Sequence, residues 1–149
     1  KYARLRAAVD IEIVGTETTR GGPWGVAQAI ASGACDTVRA DVSWKAGITG
    51  TLKSAHLAEA HGLNCELHTT TMGPMDMANL HVSCAIRNCD YFELFVPEDV
   101  FQAPMVQSYD DFIDDDGMIH APTGPGLGCD IDWDLVDNAC TSHRVHTRS

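Results

Sequence analysis

An alternation of short apolar runs and helix-like segments constrains the fold of this chain more than any other feature. The predicted strands are 11–14 (IEIV), 36–40 (DTVRA), 64–67 (NCEL) and 91–95 (YFELF). The predicted helices between them are 24–33, 48–61 and 75–88, and the end of a further helix is expected over 1–8. Loops this short favour right-handed crossovers, so the order β-α-β-α-β-α-β predicts an α/β fold built on one parallel sheet.

An ionisable side chain stands at the carboxyl end of each predicted strand. The four are spaced by 24, 27 and 25 residues, and they are Glu17, Asp41, His68 and Glu93. The carboxyl ends of parallel strands meet at one edge of a sheet, which is where such folds place their functional sites. Three carboxylates and one imidazole in phase predict a metal-assisted acid/base site at that edge.

Each of these residues also has a purely structural interpretation, which the sequence leaves open. Glu17 fits a loop carboxylate or a charge at a helix start, and Glu93 fits an ion pair with a neighbouring base. Asp41 and His68 also fit two unrelated loop residues. The threonines at 69–71 fit either a polar loop or a set of hydrogen bonds to substrate hydroxyls.

The charge of the chain argues against two classes of partner. The net charge is −11, and the stretch from Asn88 to Ser142 holds thirteen Asp or Glu and no Lys or Arg. Binding to nucleic acid or to an anionic membrane needs clustered basic residues, so we expect neither partner. No run approaches the ~18 apolar residues of a membrane helix. The acidic stretch itself is interpreted as a solvated face.

The six cysteines predict free thiols and not a disulfide framework or a zinc site. Most of them lie inside apolar runs such as HVSCAI and GLNCEL, and the chain is long enough to bury a core without cross-links. The spacing of Cys84 and Cys89 is not that of a Cys-x-x-Cys zinc motif. Reduced thiols are typical of the cytoplasm, which is the expected compartment.

The alternation stops after Phe95, and the rest of the chain is predicted to be irregular. Residues 97–149 contain clustered Asp and Pro, a hairpin turn at Asp116 and Gly117, and a short helix within 131–140 for which Asp132 fits the N-cap. We therefore divide the chain into two segments, 1–96 and 97–149.

Several of these segments resemble the enolase superfamily, specifically its mandelate racemase branch. The resemblance rests on Glu17, on 41–50 (DVSWKAGITG), on 66–74 (ELHTTTMGP), on 91–94 (YFEL), and on PTGPGLG followed by IDWD. It covers nearly the whole chain. It implies that residues 1–96 are the last four βα units of a modified TIM barrel and that 97–149 are its C-terminal segment. The first barrel half and the N-terminal capping domain of the family would then lie upstream.

The resemblance also implies a role for each strand-end residue. Glu17 matches the family's third carboxylate ligand of Mg²⁺, and His68 matches its general acid/base. Asp41 matches the carboxylate that receives the other imidazole N–H. Glu93 matches the group that hydrogen-bonds the substrate carboxylate as it becomes an enediolate. Lys45 is not a candidate for the family's catalytic lysine, because it lies past the end of a strand.

The family reaction begins by abstraction of the proton α to a carboxylate, and three functions follow as expectations. The first is a Mg²⁺-dependent acid-sugar dehydratase, a lyase in which His68 protonates the departing hydroxyl. The second is a racemase or epimerase of a 2-hydroxy acid. The third is a non-catalytic half-barrel that assembles through its sheet edges. The expected partners are a small hydroxy-acid or sugar-acid substrate and either a second copy or the missing barrel half. The 149 residues alone are expected to be inactive.

Overall fold

The structure is a computed structural model that describes residues 1–69, 73–94 and 104–145. Its regular elements are α1 (Tyr2–Arg6), β1 (Val14–Gly15), α2 (Gly22–Ala31), β2 (Thr37–Ala40), α3 (Gly47–Ala60), β3 (Cys65–Leu67), α4 (Pro74–Ala85), a 3₁₀ turn (Tyr109–Phe112) and α5 (Trp133–Ala139). The alternation of strands and helices predicted for the first half of the chain is therefore confirmed.

The three strands form one parallel sheet in the order β1-β2-β3. Val14 pairs with Thr37, and Val38 pairs with Cys65. The fourth predicted strand is reduced, within the described part of 91–95, to a single parallel bridge between Phe92 and Leu67. Phe95 lies outside the described residues. The carboxyl ends of the three parallel strands therefore lie at the same edge of the sheet, as the sequence predicts.

The first strand is shorter than predicted and begins at Val14, not at Ile11. Ile11 is 73% exposed, so the apolar run does not enter the core. Asp36 explains the difference: its carboxylate accepts the Ile13 N–H at 2.9 Å, and its own N–H donates to the Ile13 carbonyl at 2.8 Å. The run before Val14 is thus tied to the start of β2 by a side chain.

The helices α2, α3 and α4 start within two residues of the predicted positions. Gly33 and Gly62 follow the ends of α2 and α3 with φ of 64° and 71°, a conformation that costs glycine little. Pro23 and Pro74 occupy the first turns of α2 and α4, where the missing N–H has no helical partner to lose.

The core lies between the sheet and its covering helices. Strand residues buried there are Val38, Ala40, Cys65 and Leu67, and helix residues buried there are Val26, Ala55, Ala58, Ala78 and Val82. Both faces of β2 are covered, as expected for a central parallel strand. All six cysteines are described and are free thiols; Cys35 and Cys65 are buried.

The C-terminal segment packs on α4 through a second small core around Met77, Leu80 and Met105. The predicted turn is present: Ile113 pairs with Ile119 across it, and the Gly117 N–H donates to the Asp114 carbonyl at 2.9 Å. The N-cap is also confirmed, because the Asp132 carboxylate accepts the Leu135 N–H at 2.9 Å.

The predicted division between residues 96 and 97 falls outside the described residues. In the three described ranges, every helix is too short or too polar to cross a membrane.

Candidate active site

The ends of β2 and β3 bring Asp41 and His68 together. The strands are neighbours, and the His68 N–H continues their ladder by donating to the Ala40 carbonyl at 2.8 Å. The two side chains then meet, with His68 Nδ1 2.9 Å from Asp41 Oδ2. Asp41 is completely buried and His68 nearly so. An ionised Asp41 only accepts hydrogen bonds, so this contact places a proton on Nδ1 and directs Nε2 away from Asp41.

Asn79 on α4 holds both members of this pair. Its amide nitrogen donates to the His68 carbonyl at 3.0 Å and lies 3.4 Å from Asp41 Oδ1. Its amide oxygen accepts the Val42 N–H at 3.1 Å. The Ser43 N–H donates to Asp41 Oδ1 at 2.6 Å. Asn79 was not among the sequence candidates, although a single amide inside the apolar helix segment MANLHV is the signal that marks it.

Nε2 of His68 faces Glu17 and one face of its ring is covered by Trp44. The distance from Nε2 to Glu17 Oε1 is 3.8 Å. The rings of Trp44 and His68 are stacked, with centroids 5.0 Å apart and 21° between their planes. An indole in this position attracts a positively charged imidazole through its π face. Trp44 was also not predicted as a site residue.

Arg39, the third residue of β2, links the carboxylates of Glu17 and Glu93. Its Nε donates to Glu17 Oε2 at 2.9 Å, and its Nη2 contacts Glu93 Oε1. The Thr69 N–H donates to Glu93 Oε2 at 3.1 Å, and the Thr69 hydroxyl donates to the Glu93 carbonyl. The ion pair with a neighbouring base, which the sequence left open for Glu93, is thus present. The side chain of Arg39 is 19% exposed, so its charge lies largely inside the site.

Lys45 is completely buried beneath the loop that carries Glu17. Its ammonium group donates to the carbonyls of Thr16, Glu17 and Thr19 at 2.6, 2.8 and 2.9 Å. Burial lowers the pKa of Lys45, while the nearby charges of Asp41 and Glu17 act in the opposite direction. The sequence excluded Lys45 as a base without indicating what it does, and these contacts give it a structural task.

The four predicted residues therefore converge at one edge of the sheet. Asp41 contacts His68, His68 faces Glu17, and Glu17 is linked to Glu93 through one guanidinium. Thr69 reaches Glu93, whereas the other two threonines of the run 69–71 lie outside the described residues.

Glu17 fits a single ligand of a hard cation. A carboxylate oxygen is the donor that Mg²⁺ prefers, and Glu17 presents one oxygen to Arg39 and the other towards His68. Among the described residues there is no group of three or more His, Cys, Asp or Glu that could hold a metal ion. A complete Mg²⁺ site would therefore need ligands from outside this part of the chain.

Comparison with protein families matches residues 1–135 to the enolase C-terminal domain-like family. The chain is 30% identical over 141 residues to D-galactarolactone cycloisomerase of Agrobacterium fabrum, covering 91% of this chain and 37% of that protein. It is 34% identical over 117 residues to a D-mannonate dehydratase of Caulobacter vibrioides, covering 76% and 28% respectively.

Solved structures show the same similarity. D-glucarate dehydratase of Agrobacterium tumefaciens, crystallised with magnesium, is 40% identical and superposes with a TM-score of 0.77 over 92% of this chain and 35% of that one. An enolase with bound magnesium from an alphaproteobacterium is 28% identical, with a TM-score of 0.70 over 92% of this chain and 34% of that one. The chain spans about a third of the length of the curated relatives that it matches.

Proposed function

Because this chain belongs to the enolase superfamily, through the enolase C-terminal domain-like family, we propose that it is the carboxyl-terminal part of a Mg²⁺-dependent acid-sugar dehydratase. In this proposal residues 1–96 supply the last four βα units of a barrel and 97–149 supply a C-terminal segment. The first barrel half and the capping domain belong to the remainder of a longer protein. The chain by itself is then inactive, because it contributes one metal ligand, Glu17.

The observation that carries the proposal is the contact between Asp41 and His68, with Nε2 of His68 directed to Glu17. Asp41 keeps a proton on Nδ1 and stabilises the imidazolium, so Nε2 is the atom that exchanges a proton with the substrate. Trp44 covers the ring face and Asn79 fixes the His68 backbone, which leaves the imidazole one orientation.

Each remaining side chain has a task in proton abstraction α to a carboxylate. Mg²⁺ held by Glu17 and by ligands from the remainder of the longer protein would supply positive charge that stabilises the substrate carboxylate as that group gains electron density. Glu93 hydrogen-bonds the same carboxylate only when it carries a proton on one oxygen, because two carboxylates have no hydrogen to share. Arg39 and Thr69 hold the Glu93 side chain at the site. A base from the remainder of the longer protein would take the α-proton. Nε2 of the His68 imidazolium would donate its proton to the β-hydroxyl as the bond from Cβ to that oxygen breaks, so that water leaves and an enol remains.

Dehydration is favoured over the alternatives by the relatives. Dehydratases of mannonate, arabinonate and galactonate are between 29% and 34% identical to this chain, and the glucarate dehydratase structure is 40% identical. The alternative is a racemase or epimerase of a 2-hydroxy acid, in which Nε2 of His68 exchanges the α-proton itself. The contact between Asp41 and His68 serves either reaction.

An assay of the full-length protein on a panel of aldonic and aldaric acids in D₂O with Mg²⁺ decides between these reactions. Formation of a 2-keto-3-deoxy acid indicates dehydration, and deuterium at Cα of recovered substrate indicates epimerisation. His68→Asn should lower the rate by about 10²–10⁴-fold. The matched control is His56→Asn, at an exposed position of α3. Absence of turnover for every acid would refute both reactions.

A non-catalytic assembly module is the remaining alternative. Within the described sheet, β1 has a paired neighbour on one side only, and its Val14 is 49% exposed. An open apolar edge favours association. Sedimentation of the 149-residue chain tests this point: self-association is expected, and a well-behaved monomer would contradict the open half-barrel.

A further inference from the structure

The backbone of Lys45 lies in the loop between β2 and α3, but its ammonium group binds a different loop. Its N–H closes a turn by donating to the Asp41 carbonyl at 2.9 Å, which fixes its backbone next to the pair formed by Asp41 and His68. Its side chain crosses to the loop between β1 and α2. One residue therefore joins the two loops whose side chains meet at the candidate site.

The ammonium group has a complete set of partners. An ammonium carries three hydrogens, and three carbonyl oxygens of the loop that contains Glu17 lie within 2.9 Å of it. Burying a charge is costly unless every hydrogen bond is made, and an apolar side chain of the same length would fill the space at lower cost. Packing alone therefore does not account for a lysine at this position.

The loop held by Lys45 contains a backbone conformation that is unfavourable in itself. Thr16 has φ of 81°, which is unusual for a β-branched residue. The Thr16 hydroxyl donates to the Arg39 carbonyl at 2.8 Å, which fixes the near side of the loop to β2. Lys45 holds the far side, as far as Thr19. Glu17 lies between these two attachments, so its carboxylate is presented from a loop fixed on both sides.

We propose that Lys45 is a positioning residue that fixes the loop of Glu17 so that its carboxylate is held ready for a divalent cation. The inference rests on the proposed function, in which Glu17 is a ligand of Mg²⁺. Within the described residues, the hydrogen bonds of the Lys45 ammonium all go to main-chain oxygens of that loop, so Lys45 orients Glu17 without occupying the carboxylate. It also keeps a fixed separation between Glu17 and the imidazole of His68, since its own backbone is bonded to Asp41.

The test compares Lys45→Met with Lys53→Met in the full-length protein. Lys53 is an exposed lysine on α3 and serves as the matched control. Calorimetric titration with Mg²⁺ should give a dissociation constant about 10–100-fold higher for Lys45→Met than for wild type, the usual effect of removing a group that orients a ligand. Lys53→Met should stay within about twofold of wild type. A folded Lys45→Met with the wild-type constant would overturn the inference.

A measurement on the wild type covers the case in which Lys45→Met does not fold. The ¹⁵Nζ resonance of Lys45 should shift on addition of Mg²⁺, with the same half-saturation as the calorimetric titration, because the charge of a cation bound by Glu17 changes the electric field at the ammonium group that contacts the Glu17 carbonyl. A resonance that does not respond while Mg²⁺ binds would overturn the inference. If the wild type binds no Mg²⁺, the proposed function fails and the inference fails with it; if the wild type binds Mg²⁺ and Lys45→Met binds it equally well, only the inference fails.

Discussion

Replacing Asn79 by leucine should lower the free energy of unfolding by more than a substitution at an exposed position does. Asn79 is completely buried, and Leu has a similar size, so Asn79→Leu removes polar contacts while leaving little cavity. The substitution leaves the Val42 N–H and the His68 carbonyl without the partners that they have in the native protein. Both groups lie where water has little access.

The size of the effect follows from these contacts. Each buried backbone group that loses its partner costs about 1–3 kcal/mol, which gives about 2–6 kcal/mol for the two. The contact of Asn79 with Asp41 is long, at 3.4 Å, and Asp41 Oδ1 keeps the Ser43 N–H, so its loss adds little. Burial of the leucine side chain returns about 1.5–3 kcal/mol. From the middle of the two ranges, the expected net loss in the free energy of unfolding is about 2 kcal/mol.

Urea unfolding followed by circular dichroism measures this loss. Asn138→Leu is the control, since Asn138 is exposed on α5 and its replacement should change the free energy of unfolding by less than about 0.5 kcal/mol. Asn79→Asp should be at least as damaging as Asn79→Leu, because it places a second carboxylate beside Asp41. If the free energy of unfolding of Asn79→Leu lies within about 0.5 kcal/mol of the wild-type value, the two hydrogen bonds do not stabilise the site as described.

Two further predictions concern backbone contact and thiol reactivity. A Cβ at Gly50 would lie 1.6 Å from the Lys45 carbonyl oxygen, so Gly50→Ala should lower the free energy of unfolding by about 3 kcal/mol or more, and an unchanged urea midpoint would contradict this contact. Burial raises the pKa of Cys65 to about 12. Iodoacetamide at about pH 8 should therefore modify the exposed Cys84 and Cys140 and spare Cys65 in peptide mapping; equal labelling of Cys65 would refute its burial.

The parts of the fold that the sequence predicted are those set by local chemistry. Gly33 and Gly62 mark helix ends because the left-handed backbone at those positions suits glycine. The strands β2 and β3 were found within one residue, since each is a short apolar run between polar loops. Asp41 and His68 could be paired from sequence because consecutive parallel strands place their ends side by side.

Other contacts were missed because they depend on where side chains point in the folded protein, which the sequence does not show. Lys45 reaches a loop 26 to 29 residues away, and Asn79 reaches Val42 across 37 residues. Arg39 lies in an apolar strand, and only the pleat shows that its side chain emerges between two carboxylates. The first strand was predicted to begin at Ile11 on hydrophobicity alone, whereas a side-chain contact of Asp36 ties the residues before Val14 to the start of β2.

Lys45 and Arg39 hold Glu17 in different ways. Replacing them should therefore change the affinity for Mg²⁺ in opposite directions. Lys45 contacts carbonyl oxygens, so it orients Glu17 and does not compete for its carboxylate. Arg39 contacts the carboxylate itself, so a metal ion must share or displace it. Arg39→Met should therefore tighten Mg²⁺ binding by about fivefold, the equivalent of about 1 kcal/mol for a partly exposed ion pair, whereas Lys45→Met should weaken it. Calorimetric titration of both variants measures the two signs. Weakening by both substitutions would mean that Arg39 also serves to orient Glu17, and that the ion pair persists when the metal is bound.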